Sequence, residues 1–172
     1  MITFQKIRWK NFLSTGDHFS EIDFTKNGTN LIVGTNGTGK STVLDALTFS
    51  LFNKPFRKIN KSQLINATNE KDCLVEVEFN INGKEYLVRR SIKPNLFEIE
   101  VNGQKMHKQA DDRAMQKILE ENILKVNYKS FTQIVILGSS AFVPFMQLSG
   151  SNRREVIDCL LYTSDAADDV IS

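Results

Sequence analysis

The chain has 172 residues, 41% hydrophobic and 24% charged, which suits one soluble domain and leaves little room for a second. No apolar run could span a bilayer, the N-terminus lacks a signal-peptide layout, and Cys73 and Cys159 form neither a metal-site spacing nor a disulfide framework, so we expect a cytoplasmic protein without a membrane partner. The net charge of +2 becomes +5 without the last fourteen residues, which mildly favours polyanionic partners.

The first part of the chain predicts three strands followed by a helix. The segment ITFQKIRW alternates apolar and polar residues and predicts the first strand, and FSEIDF and TNLIV predict the next two. From Ser41 to Phe52, apolar residues recur every four positions at Val43, Leu47 and Leu51, which predicts a helix with one buried face. The polar, basic stretch 53–70 predicts a long surface connection with a short helical turn.

The middle of the chain predicts an antiparallel meander with one wet face. The runs CLVEVEFNI, KEYLVRRSI and LFEIEV are separated by Asn82-Gly83 and by KPN, and Asn102-Gly103 follows the third. An Asn-Gly pair favours a two-residue hairpin because both central positions need a positive φ. Beyond it, QADDRAMQKILEEN predicts a helix, QIVILG predicts a buried strand, and another helix should begin near Asn152.

The segment GTNGTGKS, Gly34 to Ser41, matches the whole P-loop pattern GxxxxGK[ST] between a predicted strand and a predicted helix. Glycines let several backbone N–H groups approach phosphate oxygens, and the helix N-terminus adds partial positive charge. A glycine-rich turn that binds nothing would not need all these positions. The candidate ATP-binding residues are Gly34, Asn36, Gly37, Thr38, Gly39, Lys40, Ser41 and Thr42.

Three of these side chains have distinct predicted roles. Lys40 should reach the β- and γ-phosphates and is the candidate catalytic residue. The Ser41 hydroxyl should coordinate Mg²⁺, and Thr42 should lie near the α-phosphate. This chemistry predicts a nucleoside triphosphate ligand and leaves open which reaction follows.

The order of motifs resembles the SMC-like DNA-repair ATPases, whose heads are built like ABC-transporter ATPases. The matching pieces are a strand ending at Asn11-Phe12, a second strand from Phe19 to Phe24, the P-loop, and a helix with apolar residues from Leu47 to Phe52. The stretches KPFRKINKSQLINATN, KPNLFEIEVNG, QIVILG and PFMQLS resemble the SbcC-type large subunits of recombination nucleases, in their T-even-phage form.

This resemblance implies an α/β fold, the N-terminal lobe of an ABC-type P-loop ATPase head, with a mixed β-sheet around the P-loop helix and an antiparallel meander. It implies an ATPase in which a C-terminal lobe completes the head after a coiled coil. Two such heads close over two ATP molecules. The closing gates a metal-dependent nuclease partner that processes double-stranded DNA ends in recombination and repair.

One position departs from the family pattern. The family places a glutamine in Gln-Gly-x-Phe-x-x-Phe after an earlier Phe, and that glutamine helps to hold Mg²⁺. If Phe131, Phe142 and Phe145 occupy the Phe positions, Ser139 stands where the glutamine belongs. The resemblance makes Ser139 a candidate second metal contact, and an ordinary loop serine is the alternative.

Further residues needed for hydrolysis do not occur in the sequence. The family supplies an apolar strand ending in Asp-Glu and a signature loop, and neither is found here, so we expect poor ATP turnover by this chain alone. We expect residues 1–158 to form the lobe. From Cys159 on, residues 159–172 resemble translated read-through of a sequencing adapter, with a genuine acidic tail as the alternative.

The basic connection also carries a hypothesis. Lys54, Arg57, Lys58 and Lys61 are candidate contacts to DNA phosphates, although an ordinary solvated loop explains them equally well. Two other functions remain open: a structural SMC-like protein that bridges DNA without a nuclease, and a small P-loop kinase.

Overall fold

The computed structural model describes residues 1–107, 111–136, 145–154 and 156–158. The chain divides into two compact units, Met1–Asp112 and Arg113–Ser172. Ser139 and the tail 159–172 lie outside the described residues, so their predicted roles stay predictions. No helix in the described ranges has the length and apolarity needed to cross a membrane.

The first unit is built on a six-stranded sheet with one helix against it. Every pairing is antiparallel, in the order β2-β1-β3-β4-β5-β6, so the sheet of the described residues is antiparallel throughout instead of mixed. The elements are β1 (Ile2–Lys10), β2 (Ser20–Asp23), α1 (Thr42–Phe52), β3 (Cys73–Ile81), β4 (Lys84–Ile92), β5 (Leu96–Val101) and β6 (Gln104–Lys105). A short 3₁₀ helix, Lys61–Leu64, is the predicted helical turn of the connection.

The meander forms as predicted, because the Asn-Gly turns and the alternation of apolar and polar residues favour the same antiparallel pairing. Asn82 and Gly83 have φ values of 50° and 81°, and Asn102 and Gly103 have 50° and 76°, the left-handed backbone that a tight hairpin needs. The register of β3 and β4 pairs Val77 with Val88.

One sheet face is apolar and carries α1. Ile7, Val75, Val77, Phe79 and Val88 are fully buried on this face. Phe12 and Phe49 bring their rings to 5.8 Å, and the Arg90 Nε donates to the Ser50 carbonyl oxygen of α1 at 3.0 Å. The helix that follows the P-loop is therefore fixed on a rigid support.

The opposite face carries a row of ion pairs across the strands. Glu76 of β3 pairs with Arg8 of β1 and with Arg89 of β4, and Arg89 also pairs with Glu98 and Glu100 of β5. Side chains of opposite charge on neighbouring strands support the register. This is the polar face that the alternation predicted, although Glu76 at its centre is buried.

The predicted third strand, TNLIV, does not form. Residues 29–33 have no strand structure, and Leu31 and Val33 are 86% and 77% exposed. A run of consecutive apolar residues is typical of a strand that lies between two other strands and is buried on both faces of its sheet. Among the described residues no strand pairs with this segment, so the apolar run alone does not produce a strand.

The second unit is helical. It contains most of α2 (Asp112–Lys117), which continues into a π-helix at Ile118–Leu124, and α3 (Tyr128–Ile134), with a 3₁₀ turn at Phe145–Gln147 and helical residues 150–154 and 156–158. The prediction of a strand at QIVILG is wrong at its start, since Gln133 and Ile134 end α3. Asn127 caps that helix by accepting a hydrogen bond from the Ser130 N–H at 2.9 Å, which favours a helix locally.

Candidate functional site

The P-loop connects residues 29–33 to the first turn of α1. Gly37 and Gly39 both have φ of +89°, a backbone conformation that other residues rarely adopt. A Cβ atom on Gly34 would lie 2.6 Å from the Thr38 Oγ1, so a larger residue would displace this hydroxyl from its bond to the Thr35 oxygen. These three positions explain why the pattern needs glycine in physical terms.

The polar side chains of the loop are held in place within it. The Lys40 Nζ donates to the carbonyl oxygens of Gly34 and Thr35 at 2.8 and 2.7 Å, and the Thr38 Oγ1 donates to the Thr35 oxygen at 2.8 Å. Ser41 is the N-cap of α1, but its exposed side chain makes no capping hydrogen bond. The ammonium of Lys40 thus bridges the first two residues of the loop, and the Ser41 side chain is exposed to a ligand.

A cavity of about 570 Å³ adjoins the loop. Part of its lining is the P-loop and the start of α1, and the rest comes from two segments that lie far apart in the sequence. The lining residues are Leu13, Ser14, Asn36, Gly37, Gly39, Lys40, Ser41, Thr42, Arg57, Gln63, Ile65 and Ala67. Of the predicted ATP-binding residues, the structure therefore brings six to this cavity; Gly34 and Thr38 line an adjoining one of about 330 Å³ together with Gly39 and Lys40.

A fully buried carboxylate on α1 joins this helix to the basic connection. The Asp45 Oδ1 accepts from the backbone N–H of Arg57 at 2.9 Å, and its Oδ2 accepts from the Arg57 Nε at 2.6 Å. Asp45 has no exposed surface, whereas the Arg57 side chain is 46% exposed. Arg57 and Lys40 line the same cavity, so two basic residues face the space next to the P-loop.

The four basic residues of the connection have different surroundings. Arg57 lies at the cavity, and the Lys61 Nζ lies 5.8 Å above the Phe49 ring. Partial burial lowers the pKa of Lys61, and the neighbouring Arg90 lowers it further. Lys54 and Lys58 are exposed. All four side chains are exposed, but Arg57 is also bound to Asp45 and Lys61 lies over the Phe49 ring.

Sequence patterns did not identify the wall formed by Leu13, Ser14, Gln63 and Ile65, nor the role of Asp45. The wall depends on a contact between distant segments, since Phe12 and Ile65 form an isolated β-bridge. No short-range spacing encodes such a contact. The available signals were Asn11-Phe12 and the stretch KPFRKINKSQLINATN, which both belonged to the family resemblance.

Comparison with models of protein families identifies the domain family of this chain. The model of the AAA domain family matches residues 6–167, almost the whole chain. The chain belongs to the AAA domain family.

Individual relatives of this AAA domain are subunits of nucleases. Exonuclease subunit 2 of Enterobacteria phage T4 is 42% identical over 163 residues, which cover 95% of this chain and 29% of that protein. The SbcC component of the nuclease SbcCD of Clostridium acetobutylicum is 33% identical over 92% of this chain and 15% of that protein. The chain thus spans less than a third of the length of these relatives. The resemblance to SbcC-type subunits in their phage form is confirmed.

Solved structures agree on the fold. An SMC ATPase structure, described with ATP-driven dimerization and DNA-stimulated activation, matches with a TM-score of 0.63 and 26% identity over 92% of this chain and 99% of that one. The Smc head domain of Pyrococcus furiosus matches with a TM-score of 0.68 and 26% identity over 92% of this chain and 41% of that one. The predicted α/β lobe of an SMC-like ATPase head is confirmed.

Proposed function

We propose that this AAA domain binds ATP–Mg²⁺ as the N-terminal lobe of an SMC-like ATPase head and that the whole protein processes DNA double-strand ends with a partner nuclease. One observation carries the proposal: an intact P-loop presents Lys40 and Ser41 to a cavity of about 570 Å³ in a chain related to exonuclease and SbcC subunits. A second head closing over the nucleotide belongs to the same proposal.

The residues present fit a magnesium nucleotide in part. The Ser41 hydroxyl is exposed at the helix start, where P-loop proteins hold Mg²⁺ together with phosphate oxygens. In the described residues no three His, Cys, Asp or Glu side chains gather into a metal group. We therefore assign Mg²⁺ to Ser41 and the phosphates, with Ser139 as the second proposed contact.

The decisive test is nucleotide binding by the Lys40→Ala variant. Lys40 supplies a charge-assisted contact to phosphate, so its loss should abolish detectable ATP–Mg²⁺ binding in calorimetry. Lys84→Ala, which removes an exposed lysine from the β4 hairpin, is the matched control and should bind normally. Unchanged binding by Lys40→Ala would contradict the proposal.

We also propose that turnover by this chain alone is poor, because it contains no Asp-Glu strand end and no signature loop. Catalysis of phosphoryl transfer needs a group that orients the attacking water, beyond the phosphate cradle. Multiple-turnover phosphate release should stay close to the uncatalysed background. Robust hydrolysis by the purified chain would refute this part while leaving ATP binding intact.

Residues 31–33 are the proposed contact with the C-terminal lobe. Leu31, Ile32 and Val33 expose apolar side chains next to the P-loop and form no strand. An exposed apolar run of this kind favours pairing with a further strand. A C-terminal lobe that adds such a strand would cover these side chains and bring the water-orienting groups toward the cradle.

DNA contact by the basic connection remains a proposal. Replacing Lys54, Arg57, Lys58 and Lys61 by Gln in the whole protein should weaken DNA binding and flatten its salt dependence, because fewer phosphate contacts release fewer counterions. Lys54→Gln with Lys58→Gln should produce most of the change, since Arg57 is bound to Asp45 and Lys61 lies over the Phe49 ring. If DNA affinity depends on salt concentration as steeply as before, the connection does not contact DNA phosphates.

The similarity to SMC heads supports a second candidate, a DNA-bridging ATPase without a nuclease. The two functions share this lobe, so they differ only in what the whole protein recruits. Co-purification of a metal-dependent nuclease with the whole protein would favour end processing. DNA bridging in a preparation without any nuclease activity would favour the alternative.

A further inference from the structure

One buried polar group near the P-loop lacks the hydrogen bond that it could make. Trp9 of β1 is the only tryptophan of the chain and is 6% exposed. Its indole Nε1 is buried and has no hydrogen-bond partner among the described residues. A buried donor without an acceptor is costly, and native proteins contain few such groups, so this N–H needs a physical explanation.

Trp9 lines the cavity of about 330 Å³ that adjoins the phosphate cavity. Half of its other lining residues are apolar and half belong to the P-loop: Ile22, Ile32, Val33 and Val43 in the first group, and Gly34, Thr38, Gly39 and Lys40 in the second. Apart from Trp9, each lining side chain with a polar atom is therefore a P-loop side chain. The indole shares this space with the start and the end of the loop.

The backbone around Trp9 is fixed, whereas the chain that leads into the P-loop is not held in the same way. Trp9 pairs with Ser20 of β2 on one side and with Val75 of β3 on the other. Residues 29–33, which lead into Gly34, form no strand with any described part of the chain. A shift that brings Gly34 and the indole together therefore moves Gly34 and leaves β1 in place.

Nucleotide binding would release a carbonyl oxygen that borders the same cavity. The Lys40 Nζ donates to the carbonyl oxygens of Gly34 and Thr35 at 2.8 and 2.7 Å. Phosphate oxygens compete for these N–H donors, because a charge-assisted bond to phosphate is stronger than a bond to a neutral carbonyl. Of the two residues, Gly34 lines the cavity together with Trp9. Its oxygen is thus the acceptor that loses a donor near the indole.

We propose that Trp9 is a positioning residue of the P-loop: when phosphate draws the Lys40 ammonium away from the Gly34 carbonyl oxygen, the Trp9 indole N–H donates to that oxygen in its place. This inference rests on the proposed nucleotide binding. The exchange satisfies two groups at once, because the carbonyl oxygen keeps a donor and the buried N–H gains an acceptor. Trp9 acts through Gly34 and does not touch the nucleotide.

The exchange makes phosphate affinity depend on Trp9. Without a ligand, the indole N–H has no acceptor, and the Gly34 oxygen is bound by Lys40. With phosphate bound, the new hydrogen bond from Trp9 stabilises the loop in the conformation that leaves Lys40 free for the ligand. The base has no part in this exchange, so its effect should be equal for all ligands with the same phosphate chain.

The first test removes the indole N–H and keeps a buried ring. Binding of ATP–Mg²⁺ and of inorganic triphosphate–Mg²⁺ to the purified Trp9→Phe chain is measured by calorimetry. We expect both affinities to fall by the same factor, about fivefold, which is the effect of one hydrogen bond. The matched control is Phe79→Leu, which alters another buried aromatic residue of this sheet face that does not line the cavity. It should lower stability but leave both affinities unchanged.

The second test leaves Trp9 unaltered and needs no ligand. Lys40→Ala removes the competing donor, so the indole N–H should already donate to the Gly34 oxygen in this variant. Tryptophan fluorescence reports on this bond alone, because the chain has one tryptophan and an indole N–H that gains an acceptor emits at longer wavelength. We expect ligand-free Lys40→Ala to emit at longer wavelength than the unaltered chain. Lys84→Ala, on the β4 hairpin, should not change the emission.

The outcomes separate this inference from the function on which it rests. If Trp9→Phe weakens neither ligand, or weakens ATP alone, Trp9 does not position the loop, and the inference fails while nucleotide binding stands. The same holds if ligand-free Lys40→Ala and the unaltered chain emit at the same wavelength. If the unaltered chain binds neither ATP–Mg²⁺ nor triphosphate–Mg²⁺, the proposed function fails, and this inference fails with it.

Discussion

Two apolar stretches of this chain differ in structure: strand β3 is buried and paired, whereas residues 29–33 are largely exposed and form no strand. In β3, Val75, Val77 and Phe79 are fully buried and paired on both sides. In residues 29–33, Leu31 and Val33 are mostly exposed and no strand forms. The residue types are similar, so β propensity does not decide the outcome.

The availability of partners explains the difference. β3 is followed at once by an Asn-Gly turn and β4, and its other edge pairs with β1. Its alternation also assigns one face to the core and the other to the row of ion pairs. Residues 29–33 have three consecutive apolar side chains but pair with no strand in the described part of the chain, so they lack the pairing that stabilises β3.

The largest expected effect is on stability, at the centre of the meander. Phe79→Ala should lower the free energy of unfolding by about 3–5 kcal/mol, because a fully buried ring leaves a cavity. The Phe79 ring stacks on Tyr86 at 5.3 Å and meets the edge of Phe4 at 6.0 Å. Urea unfolding measures the change, and Tyr86→Phe, which keeps the stacked ring, is the control. A loss below about 1 kcal/mol would contradict the picture of a tightly packed β3.

The same contrast explains what could be predicted from the sequence. The meander, α1 and the P-loop depend on local signals, such as the Asn82-Gly83 turn and the spacing of Val43, Leu47 and Leu51, and the structure contains all three. These signals need only residues close in the sequence. Within the meander, β4 and β5 each pair with the strand that directly precedes them in the chain.

The features that could not be predicted depend on contacts between segments that lie far apart in the sequence. The cavity wall at Leu13 and Ile65 and the pair between Asp45 and Arg57 join segments that no periodicity connects. The start of QIVILG became helix because Asn127 caps it, a short-range effect that outweighs the apolar run. Apolar runs are thus the weakest signal, since the same run suits a strand or a buried helix.

A second, smaller effect is expected at Asp45, the residue of α1 that binds Arg57 of the basic connection. Asp45→Asn keeps an oxygen for the Arg57 N–H but loses the charge, and should cost about 1–2 kcal/mol in urea unfolding. Trypsin should also cleave faster near Lys58, because the connection loses its anchor on α1. Glu76→Gln, a buried carboxylate of the ion-paired sheet face, is the control: it should lower stability without exposing the connection. Equal cleavage rates in the two variants would refute the anchoring role.

The first residue of β3 gives a pH test of the same burial. Burial raises the pKa of the Cys73 thiol from 9.0 to about 12, and Lys61 opposes this only partly. The unfolded chain therefore releases this proton near pH 9 while the folded chain retains it, so stability falls as the pH rises from 9 toward 12. Two proteins are compared, both carrying Cys159→Ser, and one also carrying Cys73→Ala. When the pH is raised to 10, the folding equilibrium constant of the protein that keeps Cys73 should fall about tenfold more than that of the Cys73→Ala variant. The same pH dependence in both proteins would show that another group is responsible.

The smallest effect is expected in residues 29–33, and its size should depend on what covers them. Leu31→Gln replaces a side chain that is 86% exposed, so in this chain the free energy of unfolding should change by no more than about 0.5 kcal/mol. In a longer protein that contains the proposed C-terminal lobe, the same substitution would bury a polar amide against an apolar surface, and the cost should rise to about 1–3 kcal/mol. Gln104→Ala, in the exposed edge strand β6, should change neither protein appreciably. A large effect of Leu31→Gln in this chain would mean that the segment already has a partner here, and equally small effects in both proteins would mean that the lobe pairs elsewhere.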